Sequence, residues 1–248
     1  MAITFISSGA IVDGLNTNIT PVVGGAYSIG DALIYSTGEQ FGSGSQTAPA
    51  GWTQLSPNST VTAVTIWGRI ATTTSETIPS VNWGAANRGW AHLTVFRGVD
   101  SAFTSTMTGT AERGSNTTAD IVNSAGAHTP TQDGSLAFWA GGRNKTVTTD
   151  GTVYTPPANW TIAVQNARNG TSYSAAIAYW IQATASSVPA NAALTGSLTE
   201  GTAQAMRSTM IFLAPAASSG GGGGGTGTVS FPPPKRKTYI IYDQYYPR

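Results

Sequence analysis

The chain has no cysteine, only two histidines in 248 residues, and 9% charged residues, against roughly 25% in an average soluble domain. The missing cysteines exclude disulfides and thiolate-held zinc or iron-sulfur centres, and they leave the redox compartment unread. With only His92 and His128 there is no HExxH helix and no metal-spaced histidine pair, and no Walker loop occurs either. No apolar run approaches ~18 residues, so no membrane insertion is expected. The start, MAITFISSGAIVDG, lacks the basic segment and long apolar stretch of a signal peptide. Helical periodicity is almost absent as well. The net charge of +1 argues against nucleic acid as a partner, because that interaction requires a clustered basic face.

Thr, Ser, Ala, Gly and Asn fill the space left by charge, and short runs rich in Val, Ile, Trp and Tyr alternate with Gly, Pro and Asn clusters. This is the strand pattern. VTAVTIWGRIAT (61–72), WAHLTVFRGV (90–99), GSLAFWAGG (134–142), SYSAAIAYWIQAT (172–184) and RSTMIFLAP (207–215) carry it most clearly. In WAHLTVFRG, Trp90, His92, Thr94 and Phe96 share one face and Ala91, Leu93 and Val95 the other. Both faces hold apolar atoms, as between packed layers.

An internal repeat runs through these strands. PAGWTQL (49–55) returns as PANWTIA (157–163), and GDALI (30–34) returns as GSLAF (134–138), with the neighbouring segments in the same order. Matching Leu33 with Leu136, Trp52 with Trp160, Ala71 with Ala183 and Phe96 with Phe212 gives a steadily drifting offset, the mark of matched strands with longer loops in the second copy. Neither half has enough large apolar residues to close a core alone, so one all-β sandwich is expected over 1–215, with halves at about 1–105 and 125–215. A flexible Gly-rich linker (216–229) and an extended C-terminal arm (230–248) follow it.

Few residues are candidates for chemistry. AYSIG (26–30) loosely resembles a nucleophile elbow without the strand-turn-helix setting, so Ser28 reads as a turn residue. Asp31, Asp100, Asp133 and Asp150 stand at expected turns, where short polar side chains bond the nearby backbone. Arg69 and Arg97, beside turn glycines, read as loop ties. His92 in its strand reads as structural. Six Asn-x-Ser/Thr sequons, at Asn18, Asn58, Asn116, Asn144, Asn159 and Asn169, are what an Asn- and Thr-rich chain produces by chance. No catalytic residue, metal site or cofactor is expected, and the protein is read as not an enzyme. The tryptophans read as core or rim, with Trp52 and Trp160 the alternative platforms for stacking a glycan.

Charge is unevenly distributed. Residues 1–219 hold eight Lys/Arg and ten Asp/Glu, whereas residues 220–248 hold four cations and one acid. Six glycines (220–225) precede PPPKRKTYIIYDQYYPR. About eleven Gly/Ser/Thr residues span ~18 Å as a random coil. Beyond them, PPP is stiff, Lys235, Arg236 and Lys237 keep the segment solvated, and Tyr239, Ile240, Ile241, Tyr242, Tyr245 and Tyr246 have the strand propensity of a segment that adds to another chain's sheet. These nine residues are the candidate docking site. The alternative is a disordered solubility tail, which five aromatics in twenty residues oppose.

As an ordered set, MAITF, GDALI, PAGWTQL, IWGRIATTTSE and VFRGVD, with their weaker second copies, resemble a domain of tailed-bacteriophage structural proteins of the minor-tail, tail-fibre or virion-surface kind. The resemblance covers residues 1 to about 215. It implies a jelly-roll-like β-sandwich and a structural or adhesive role in the virion after synthesis in the host cytoplasm, and it supplies no catalytic residues. Its implied partners are other virion proteins and further copies of the chain in a homo-oligomer, with a host surface glycan as the alternative. A tail-spike-like depolymerase ranks last, because it needs two carboxylates facing one cleft.

Overall fold

A computed structural model describes residues 1–15, 19–39, 48–56, 64–81, 88–108, 113–116, 119–121, 130, 132–143, 153–156, 158–166, 174–185, 195–197 and 204–217. Among them there is no helix, and Met1–Ala217 form one compact unit. The first sheet contains β1 (Thr4–Ser8), β2 (Val12–Leu15), β3 (Ala32–Glu39), β4 (Thr53–Gln54), β5 (Val64–Ile70) and β6 (Arg88–Arg97). The second contains β7 (Ser105–Thr108), β8 (Arg113–Asn116), β10 (Leu136–Arg143), β12 (Thr161–Asn166), β13 (Ser174–Ile181) and β15 (Gln204–Leu213). A small third sheet joins β9 (Ala119–Ile121), β11 (Val153–Thr155) and β14 (Thr195–Ser197). Every described strand pair is antiparallel.

The alternation of side chains along a strand explains the layers. Ala32, Ile34, Ile66, Trp90 and Phe96 of the first sheet share one buried cluster with Leu136, Phe138, Ile177, Ile211 and Leu213 of the second. Phe96 meets Phe138 edge to face at 6.1 Å, Phe5 stacks on Tyr179 at 4.9 Å, and the Thr209 hydroxyl donates to the Val64 carbonyl at 3.1 Å. Two antiparallel sheets therefore close on one core, as in a β-sandwich. The outer faces are apolar too. Leu33, Tyr35, Trp67, Leu93 and Val95 are covered by Ile19, Tyr27, Trp52 and Val81, while Ala137, Trp139, Ala178, Met210 and Phe212 pack with Tyr154 and Trp160. This is why β6 carries apolar residues on both faces. Each fully buried large side chain contributes about 1.5–3 kcal/mol, which a protein without disulfides draws on heavily.

The central strands run β6-β3-β5-β4 in the first sheet and β15-β10-β13-β12 in the second. Ala32 lies opposite Ile70 and Phe96, and Leu136 lies opposite Ile181 and Leu213. Gly30 N–H donates to the Ala71 carbonyl and Ala71 N–H to that of Asp31; Gly134 and Gln182 repeat the pattern with Gln182 and Ser135. Both glycines have positive φ, +90° and +78°, which a β-carbon would strain. By this register Ala32 corresponds to Leu136, Ala71 to Gln182 and Phe96 to Leu213, one residue away from the sequence matching at those three places. Trp52 and Trp160 do correspond, through Thr53 opposite Gly68 and Thr161 opposite Tyr179. A slip of one residue exchanges the faces of a strand, and here both faces are apolar, so sequence alone tolerates the slip. Each large sheet is also drawn from one continuous stretch of chain, Thr4–Arg97 and then Ser105–Leu213. A jelly roll passes successive strands back and forth between its sheets, and the described strands do not trace that path.

Candidate functional site

The nine arm residues from Lys235 to Tyr246, and residues 218–229 of the linker, lie outside the described residues; Ala216 and Ala217, read from sequence as the start of the linker, belong to the compact body. The two proposed glycan platforms do not. Trp52 is 6% exposed and Trp160 is 8% exposed, so neither presents a ring face to solvent. Trp52 sits edge to face on Tyr35 at 5.5 Å, closing the outer layer of the first sheet. Trp160 plays the same part in the second, with its ring 6.4 Å from that of Trp180. Trp67, Trp90 and Trp139 are buried completely or nearly so, and Trp83 lies outside the described residues. Trp180 is the one described tryptophan with appreciable solvent exposure.

Among the described residues, several acidic and basic side chains hold turns. The Asp31 carboxylate is 2% exposed and accepts from Arg97 Nε at 2.7 Å and Nη2 at 2.9 Å, and from Ser28 N–H at 2.8 Å. Burial pushes its pKa up, but the Arg97 hydrogen bond and charge and the Ser28 N–H outweigh burial and hold it below the usual value. Ser28 is thus a turn residue, its carbonyl accepting from Asp31 N–H and its hydroxyl from Arg97 Nη2. Arg69 ties the following loop by pairing with Glu76 at 2.8 Å. Glu76 also collects Thr72 N–H, Thr73 N–H and the Thr72 hydroxyl, and these bonds with the Arg69 charge overcome burial and lower its pKa. Its own N–H donates to the Tyr27 hydroxyl. Asp100 accepts from Ala102 N–H, and Asp133 from Ala185 N–H. These described carboxylates are arranged as turn anchors, not as a facing pair in one cleft.

One open concavity lies where chain-distant pieces meet. It has a volume of about 540 Å³ and is lined by Met1, Ile29, Asp31, Arg97, Val99 and Ala216, among others. The Met1 ammonium donates to the Ala216 carbonyl at 2.7 Å, and Ala216 N–H donates to Gly98. Met1 and Ile29 are each 67% exposed. This corner was missed in the sequence because its walls come from residues 1, 29–31, 70, 97–101 and 216–217, which no local motif links.

His92 is fully buried between the sheets, with Nε2 2.8 Å from the Ser8 hydroxyl and Nδ1 3.3 Å from that of Thr94. A serine beside an imidazole is the geometry of an activated nucleophile. Desolvation, however, lowers the His92 pKa to about 3, against a weaker opposing pull from the Gly9 backbone. An imidazole that weakly basic is a poor proton acceptor for a serine hydroxyl. The pair instead fastens edge strand β1 to β6.

No protein-family model, curated protein or solved structure matches the chain. What its described residues offer is a low-charge scaffold with anchored turns, an open corner at Met1 and Ala216, and a partly exposed tryptophan, Trp180.

Proposed function

We propose that this chain is a non-enzymatic structural protein of a tailed-bacteriophage virion, displayed on the particle surface as capsid decoration, collar or tail-fibre component. In this reading the body is a sandwich of two related halves, supported by the shared strand order and matching hydrogen-bond pattern of its sheets. The linker read at 216–229 acts as a flexible joint from residue 218 onward, Ala216 and Ala217 being part of the body. The arm at 230–248 docks onto neighbouring virion subunits through Lys235–Lys237 and the Tyr/Ile run from Tyr239 to Tyr246. The chain works as a homo-oligomer, without nucleic acid or membrane insertion.

The observation that carries this reading is the division of labour along the chain. The described ion pairs tie loops within the body, whereas the C-terminal 29 residues concentrate four of the twelve cations and a run of aromatic and β-branched residues. Deleting 230–248 should leave a folded body that no longer joins particles. A truncated protein that co-purifies with particles at full occupancy would refute the anchoring role.

A second reading, a host-binding adhesin or carbohydrate-binding module, is favoured by one observation, the partial exposure of Trp180 beside Trp160.

A further inference from the structure

We infer that the corner of the second sheet around Trp180 and Gln182 is a binding site for an uncharged sugar ring. The inference rests on the adhesin reading and moves its site away from Trp52 and Trp160.

Two corners of the body share one backbone pattern. Arg69 lies opposite Leu33 in the first sheet, and Trp180 holds the corresponding place opposite Ala137 in the second. One residue beyond each strand, Ala71 and Gln182 make the same pair of backbone bonds to the preceding turn. In the first sheet this corner is closed: Arg69 reaches Glu76, Glu76 gathers the 72–73 amides, and small Ala71 packs in the same outer layer as Trp52. The second corner has different chemistry. The arginine is replaced by a partly exposed indole, and the alanine by Gln182, which is 1% exposed with neither amide atom hydrogen-bonded.

An amide buried without a partner is costly, and native proteins rarely keep one without a use. Trp180 and Gln182 are two residues apart on an extended segment and so share the outer face, where Trp160 also packs. An indole face suits the C–H face of a pyranose. An amide offers a donor beside an acceptor, the match for neighbouring sugar hydroxyls, and the Gln182 amide, buried without a partner, meets them by turning outward as the ring seats on Trp180. Exposed Asn159, Thr161 and Thr184 lie near in sequence to Trp160 and Gln182 and are uncharged, while the Asp133 carboxylate, which accepts from Ala185 N–H at 2.7 Å, places a negative charge at this corner that disfavours an anionic ligand. The ligand chemistry that fits is therefore a neutral sugar, not a sugar acid or phosphate.

The test uses the full chain and a panel of glucose, galactose, rhamnose and N-acetylglucosamine, read by saturation-transfer NMR and intrinsic fluorescence titration. Saturable binding to at least one sugar is expected, weakened about tenfold or more by Trp180→Ala and less by Trp180→Phe. Gln182→Leu should also weaken binding while leaving the melting temperature unchanged or higher, because it removes an unpaired buried amide. Binding unaffected by Trp180→Ala and Gln182→Leu would overturn this site and leave the adhesin reading standing. No binding to any sugar of the panel, with no retention on host cells, would overturn both.

Discussion

Acid should loosen this protein through His92, in a pH range where its carboxylates are still charged. The folded-state pKa of His92 is lowered from 6.5 to about 3 by burial, so the folded protein holds the ring neutral while the unfolded chain protonates it. The stability this contributes is complete above pH 6.5 and is lost as pH falls toward 3. Each pH unit of that window removes about 1.4 kcal/mol, so between pH 6.5 and 4.5 the loss is roughly 2–3 kcal/mol, and over the whole window about 5 kcal/mol. Against a total stability of about 5–15 kcal/mol this is large. Asp31 and Glu76, with lowered pKa values, keep their contributions until pH falls below the ordinary carboxylate range. Urea unfolding at a series of pH values from 7 down to 4.5 would measure the slope. His92→Gln keeps a hydrogen-bonding side chain but does not titrate, so its stability should be nearly flat across that interval; His128→Gln is the control for the other histidine. If His92→Gln falls with pH as steeply as the unmodified protein, the sealed neutral imidazole is refuted.

Two further perturbations test the packing. A β-carbon added at Gly38 would fall 2.2 Å from Nε1 of buried Trp90, so Gly38→Ala should destabilise by about 1–3 kcal/mol in chemical unfolding, and an unchanged midpoint would mean that Trp90 is free to move. Trp52→Ala should lower stability by about 3–5 kcal/mol and leave sugar binding unchanged in the folded fraction, as expected of a core residue and contrary to a stacking platform.

The strand pattern was legible because Val, Ile, Thr and Trp alternate between Gly and Pro punctuation, and the two-faced burial of β6 could be read from Trp90–Phe96 alone. Register was less legible. Leu33 and Leu136 look equivalent as letters, yet one faces the outer layer and the other the shared core. What separates them is hydrogen-bond pairing, which apolar content on both faces does not encode. The turn roles of Asp31, Asp100 and Asp133, and the loop-tying roles of Arg69 and Arg97, followed from short polar side chains and guanidinium forks beside turn glycines. The open corner at Met1, Ile29 and Ala216 was invisible because it depends on how segments distant in sequence meet. The exposure of Trp180 was equally hidden, since seven tryptophans look alike until the layers over them are known.

In a chain with so few charges, where each ion pair falls matters more than how many there are. Both described salt bridges belong to the first sheet and its loops, Arg97 with Asp31 and Arg69 with Glu76. Each fastens a loop, but only the multiply hydrogen-bonded Glu76 closes its corner, at Arg69; the Arg97–Asp31 pair lines the open concavity beside Met1. The corresponding corner of the second sheet carries an indole and an amide, groups that make good contacts with polar, ring-shaped ligands, while the Asp133 carboxylate holds the adjoining loop through Ala185 N–H. Two sheets with matching strand order can differ in this way at little cost to the shared core, because positions 69 and 180 lie near strand ends. The asymmetry between two otherwise matching corners is therefore the strongest reason to look for recognition by the body at Trp180, independently of what the C-terminal arm holds.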